Sequence, residues 1–404
     1  MLLLLMRLLP HFGLRVPAAF GYSSTRMLLA AITTLLITIF LGPPFIRRLF
    51  ELKTRQTIRV EDCPPLIKLH EKKRDTPSMG GILMLFALVV ALLLWMDLTS
   101  AFSLILLITT LWLGGVGAMD DYLKMKYKSA DGLSRKKKFG LQLLFAALLS
   151  IYLLVPAATE SIQTGDWFHP PTAREQVYKG GNINALSVSR TTQEYIGTYF
   201  IPFKKGAVFT LSGLGLIFAG LLTIAVVTGS SNAVNLTDGL DGLAAGSVMM
   251  VAGVLAIFAF FSNNLEFSRY LNILYIEGSG EVAVFLCALL GACLGFLWYN
   301  GYPAQVIMGD TGSLALGGIL GVAAVLIRRE FLLAIVGGIF VIEVLSVILQ
   351  VASYRLRNKK RIFLCAPLHH HFEFKGWPET KVVLRFWIVG LILALIGIIS
   401  LKIQ

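Results

Sequence analysis

Apolar residues run along this chain in blocks, and polar residues collect between them. The blocks fall at 27–46, 79–96, 101–119, 139–158, 207–228, 244–262, 281–299, 313–327, 331–353 and 384–401. A helix needs about 20 apolar residues to traverse the hydrocarbon core of a bilayer. The pattern therefore predicts an all-α integral membrane protein, a bundle of about ten transmembrane helices. Glycines at close spacing (Gly114, Gly115, Gly117; Gly317, Gly318, Gly321; Gly337, Gly338) predict helices packed against one another.

Residues outside the blocks set the organisation. Met1–Pro10 is apolar but interrupted by Arg7, and Pro17-Ala18-Ala19 makes a poor cleavage site. Residues 1–26 read as an uncleaved apolar half-segment ahead of a transmembrane domain at 27–404. Within that domain, 159–205 is polar and rich in Pro and Gly, which predicts an excursion outside the membrane with strand character near Tyr195–Phe203.

Composition agrees with this. Hydrophobic residues make up 56% of the chain and charged ones only 15%, where a soluble domain carries about a quarter charged. The four cysteines are scattered and form no CxxC pair, which argues against a disulfide framework or a zinc site. A net charge of +13 would suggest nucleic acid for a soluble protein. Here its distribution points to membrane topology instead, and no nucleic-acid partner is expected. Loops 47–78, 120–138 and 354–383 carry nine, seven and seven Lys/Arg, against eight in all the loops of the other side. The positive-inside rule places the first set in the cytoplasm and both termini outside.

With that topology the unusual polar residues converge on the cytoplasmic end. Asp120 and Asp121 end the third block, and the stretch Asn232–Leu243 opens the sixth. Asn300 closes the seventh, Asp310 opens the eighth, and His369, His370 and His371 follow the ninth. One aspartate could be a helix cap, but capping does not account for carboxylates and amides from four segments. Adjacent carboxylates repel unless one is protonated, paired or facing a cation. Oxygen ligands beside lysine runs (Lys72, Lys73; Lys124–Lys138) suit a magnesium–diphosphate site. Asn232, Asn235, Asp238 and Asp241 recur every third residue, which on a helix predicts one shared face.

The stretches Thr76–Gly81, Asp120-Asp121, Asn232–Asp241, Asn300, Met308–Ser313 and Pro367–Glu373 closely resemble the phospho-N-acetylmuramoyl-pentapeptide transferases, a branch of the polyprenyl-phosphate N-acetylhexosamine-1-phosphate transferases. The resemblance runs from about residue 27 to the C-terminus, and Pro-Leu-His-His-His-Phe-Glu is its most specific sign. It implies a bacterial inner-membrane, Mg²⁺-dependent enzyme. Such an enzyme moves the phospho-sugar-pentapeptide of UDP-N-acetylmuramoyl-pentapeptide onto undecaprenyl phosphate, giving lipid I and UMP for peptidoglycan synthesis. A homodimer is left open.

By the same resemblance, Asp310 is the metal ligand, with Asp120 and Asp121 as further candidates. Asp120 is the base that deprotonates the lipid phosphate, with Asp121 beside it, and His369 completes the catalytic set. Substrate contacts fall to Lys73, Ser78, Lys124, Lys128, Lys136, Lys138, Asn232, Asn235, Asp238, Asp241, Asn300, Gln350, His370 and His371. Two positions depart from the family pattern: Asp75 stands where Gly is frequent, and Ser78 where Thr is usual. Direct attack by the lipid phosphate and a covalent aspartyl route remain alternatives. So does a sister enzyme using UDP-N-acetylglucosamine, which would carry a different histidine motif. A cation-coupled transporter would place its charges near the midplane in two related halves, and no halves are found.

Overall fold

The computed structural model describes Leu3, Met6, Phe168 and residues 17–52, 76–127, 132–161, 171–177 and 186–403. Lys73 and Lys128, and most of the N-terminal half-segment, lie outside the described residues.

The apolar blocks fold as helices: α1 (Ser23–Glu51), α2 (Gly81–Trp95), α3 (Ala101–Tyr127), α4 (Arg135–Leu154), α5 (Gly215–Thr237), α6 (Leu243–Ser262), α7 (Gly280–Asn300), α8 (Gly309–Leu326), α9 (Gly338–Leu356) and, after the short α10 (Leu368–Phe374), α11 (Glu379–Ile399). Among the described residues nine are long and apolar enough to span a membrane, while α2 is shorter at 15 residues. The chain is a multi-pass membrane protein.

Two blocks differ from expectation. The fifth helix begins at Gly215 rather than near 207, because Phe209–Thr210 pairs as a strand, and it then runs on through polar residues to Thr237. The ninth divides into Glu330–Val336 and α9 at Gly337.

Helix α8 is the axis of the bundle, with every residue from Thr311 to Leu326 buried. Glycines let its neighbours approach to backbone distance. A Cβ on Gly317 would strike the Ser230 and Ser231 backbone of α5, one on Gly318 would strike Leu113 of α3, and one on Gly81 would strike Gly312. Membrane helices lack a hydrophobic drive to associate, so close packing of small residues is what holds such a seam together.

At one end of the bundle α3, α5 and α7 finish while α4, α6 and α8 begin. The opposite end carries a small sheet of β1 (Thr172–Val177), β2 (Leu186–Arg190) and β5 (Tyr275–Glu277), in the order β2-β1-β5 and antiparallel throughout. A second pair joins β3 (Thr198–Tyr199) to β4 (Phe209–Thr210). Strand character near Tyr195–Phe203 is thus confined to β3, since Thr192–Gly197 is helical and capped by Thr191. This end is pinned to the axis by Arg328, fully buried, which donates to the Thr198 carbonyl at 3.1 Å and pairs with Glu330 at 2.5 Å.

Candidate active site

The three carboxylates come from two helices running in opposite directions. Asp120 and Asp121 lie near the end of α3, and Asp310 lies in the first turn of α8. The crossing is tight because Gly117, one turn before Asp120, faces the Asp310 carbonyl with no room for a Cβ. One oxygen from each of Asp120, Asp121 and Asp310 lies within 4.8 Å of the others.

Charges of one sign gathered this closely need opposite charge between them. Lys124 Nζ sits 2.8 Å from Asp310 Oδ2, 2.6 Å from Asp120 Oδ2 and 4.0 Å from Asp121 Oδ1. Lys138 Nζ, from the first turn of α4, lies 2.6 Å from the same Asp310 oxygen and 3.2 Å from Asp120 Oδ2. Ser134 caps α4 by accepting from the Lys137 N–H, which fixes the turn that carries Lys138. Lys136 is exposed, so Lys138 is the lysine of that run that reaches the cluster.

The carboxylates are not equivalent. Asp121 accepts from the N–H groups of Asp310 (3.2 Å) and Thr311 (2.9 Å) and from Thr311 Oγ1 (2.7 Å). It is a cap supplied to α8 from another helix, satisfying N–H groups that a helix start leaves without partners. Asp120 Oδ1 accepts from the Leu133 N–H at 2.8 Å, tying the segment before α4 to α3. Asp310 Oδ1 accepts from Asn235 Nδ2 at 2.7 Å, and that amide also reaches Ser313 Oγ at 2.8 Å. The Asp120 side chain is 1% exposed and that of Asp310 16%, so Asp310 is the carboxylate turned toward open space. Ser78 joins this group from the start of α2. Its segment pairs with the entry to α8 through Gly80 N–H to the Ile307 carbonyl and Ile307 N–H to the Pro77 carbonyl, and its hydroxyl lies against Gly309.

The Asn-Asp series does not form one helix face. Helix α5 stops at Thr237, Asp238 is its C-cap, and Asp241 lies in the turn before α6, where Gly242 adopts φ +78°. Even the two residues on α5 diverge. Asn235 faces Asp310, whereas Asn232 Nδ2 donates to Gln142 of α4 at 2.6 Å. Asp241 braces the following loops, donating its N–H to Glu379 at 2.7 Å and accepting from Ala304 N–H at 3.0 Å. Asn300 likewise accepts from the Gly242 N–H and donates to the Val306 carbonyl, 4% exposed. Gln350 spends its amide on backbone, donating to the Phe363 carbonyl and accepting from the Ile362 and Phe363 N–H groups at 2.9–3.0 Å.

The histidines are helical, in α10, and differ from one another. His369 is fully buried, with Nδ1 3.2 Å from Glu343 Oε2 and its ring packed on Gly239. His370 Nδ1 lies 2.7 Å from Glu373 Oε2. His371 Nδ1 accepts from the Leu364 N–H at 3.1 Å, and burial, with Lys375 nearby, holds its pKa below the usual histidine value. Gln142, Glu343, Glu379 and Thr311 emerge as site-building residues that sequence reasoning passed over. Only Glu343 left a signal, as the lone acid inside the block 331–353.

A polytopic bundle with basic and acidic groups interleaved at one end belongs to a known class. Residues 103–328 match the model of glycosyl transferase family 4. Full-length relatives narrow the class. The chain is 61% identical to phospho-N-acetylmuramoyl-pentapeptide-transferase of Protochlamydia amoebophila (strain UWE25), over 97% of each chain. It is 44% identical to the enzyme of that name from Francisella philomiragia over the full length of both, and 46% identical to that of Thermodesulfovibrio yellowstonii over 95% of each. The chain belongs to the phospho-N-acetylmuramoyl-pentapeptide-transferase family.

Proposed function

We propose that this chain transfers phospho-N-acetylmuramoyl-pentapeptide from its UDP-linked donor to undecaprenyl phosphate, releasing UMP and forming lipid I. The observation that carries the reading is the meeting of Asp120, Asp121 and Asp310 with Lys124 and Lys138 at one end of the buried axis. Family membership supports the donor and acceptor.

The donor set fits Mg²⁺, a hard cation usually held by one or two carboxylates together with phosphate oxygens and water. Asp310 would hold it, with Asp120 alongside, and the ion would supply charge stabilisation at the diphosphate. Two ammonium groups already bridge these carboxylates, so the protein's own residues balance most of the local charge. When diphosphate enters, Lys124 and Lys138 turn part of their hydrogen bonding to its oxygens. Asp120, held by Leu133, takes the proton from the lipid phosphate. That phosphate's oxygen then attacks the β-phosphorus in line. A new P–O bond forms to the lipid, the bond to the bridging oxygen breaks, and UMP leaves with it. By the family resemblance, Ser78, Asn235, Asp238, His370, Lys73 and Lys128 would contact the donor.

The site faces the cytoplasm of a bacterial inner membrane in this reading, since the basic loops 47–78, 120–138 and 354–383 flank its end of the bundle. Transfer of radiolabelled phospho-muramoyl-pentapeptide, with and without Mg²⁺, tests the proposal. Asp310→Asn should abolish transfer while leaving membrane insertion and detergent elution unchanged. Activity in that variant, or preference for UDP-N-acetylglucosamine, would sink it.

A further inference from the structure

Glu343 lies on α9, a membrane-spanning helix, and its side chain is completely buried. A lone carboxylate at such depth is costly unless partners answer it. Among the described residues the hydrogen bonds of its carboxylate go to one place, the start of α10. Oε2 accepts from the Leu368 N–H at 2.7 Å and lies 3.2 Å from His369 Nδ1, while Oε1 accepts from the His369 N–H at 3.2 Å. Seven residues on, two helical turns along the same face of α9, Gln350 grips the backbone at 362–363. One helix face therefore holds the segment 362–369 that leads into α10 and its histidines. From the other side, His369 Nε2 packs on Gly239, in the turn between Asp238 and Asp241, where a Cβ would collide with it. Among the described residues neither ring nitrogen of His369 has a hydrogen-bond partner.

We propose that Glu343 is a positioning residue for the transfer reaction, acting through His369. Its carboxylate holds the first turn of α10 through the Leu368 and His369 N–H groups, which seats the imidazole between α9 and the Asp238–Asp241 turn. The inference rests on the transferase reading and adds to it a residue remote from the carboxylate cluster.

The test is the kinetics of Glu343→Gln in the wild-type and His369→Asn backgrounds, with detergent-purified full-length protein. Glutamine keeps the size but only one acceptor, so one of the Leu368 and His369 N–H groups loses its partner. In the wild-type background kcat should fall about 10- to 100-fold, as when a supporting partner of a site residue is lost, with donor KM unchanged. In the His369→Asn background the same change should cost nothing further, because residues acting as one unit are not additive. Full kcat in Glu343→Gln, an equal loss in both backgrounds, a raised KM with kcat intact, or failure to fold would each overturn the proposal. Wild-type protein assayed in parallel separates this from the function itself. Should the wild type use a different UDP-sugar, the same ratios are read with that donor.

Discussion

Thr311→Val asks whether Asp121 braces the site or does chemistry in it. The change is nearly isosteric, at a residue 2% exposed, and it deletes one interaction: the 2.7 Å hydrogen bond from Oγ1 to Asp121 Oδ2. Hydrogen bonds to charged groups contribute about 1.5–3 kcal/mol, and the backbone N–H of Thr311 still reaches the same oxygen. The expected loss of stability is therefore about 1.5–3 kcal/mol, read as a lower unfolding midpoint in detergent. The loosened cap also frees the first turn of α8, and with it Asp310. Because a misplacement of about 1 Å can cost 100-fold in rate, kcat should fall at least several-fold. Thr311→Ser keeps the hydroxyl and should restore both. Asp121→Asn should show the same two losses, combining sub-additively with Thr311→Val. If Asp121→Asn abolishes transfer while Thr311→Val matches wild type in stability and rate, the bracing argument is wrong and Asp121 acts on substrate or ion.

Three further outcomes follow from the geometry. Lys138→Gln should cut transfer sharply and Lys136→Gln should leave it near wild type, since of these two Lys138 reaches Asp310 and Asp120 and Lys136 is exposed; equal losses would dismiss the pairing. Gly117→Ala should force α3 and α8 apart at the Asp310 carbonyl, at about 1–3 kcal/mol for overpacking and with loss of activity, whereas Gly115→Ala, which meets nothing within 4 Å, should do neither. The lowered pKa of His371 means that the unfolded chain binds its proton more readily. Its contribution to stability is present above about pH 6.5 and is lost as pH falls below that value. Protection of the Leu364 amide against hydrogen exchange, relative to the intrinsic rate at each pH, should therefore fall on acidification, and a pH-independent protection factor there would contradict the assignment.

The sequence was readable where cost is local. A carboxylate at the edge of an apolar block is expensive wherever it points, so Asp120, Asp121 and Asp310 stood out without a partner in view, while Glu343 inside one was passed over. Helix ends were less legible. The block at 207–228 moved along to Gly215–Thr237 because Ser231, Asn232 and Asn235 find partners on α4 and α8, which no hydropathy window contains. The period-three reading of Asn232–Asp241 failed for a related reason: α5 stops at Thr237, so Asp238 and Asp241 lie beyond the helix that carries Asn232 and Asn235. Asn300, Asp241 and Gln350 are expected to contact substrate, and the hydrogen bonds seen for them reach backbone and Glu379. Chemistry shows in residue type, whereas bracing depends on which loop lies opposite.

The contact of Gly117 with the Asp310 carbonyl, and of Gly81 with Gly312, has a wider effect. Where main chain touches main chain, the spacing of the Asp120 and Asp310 backbones is set by steric contact and leaves only their short side chains to turn. Side chains facing lipid, such as Phe40, Leu214 and Ile217, can then vary with the thickness and fluidity of the host membrane. The reacting groups keep their spacing while the outside of the bundle adapts.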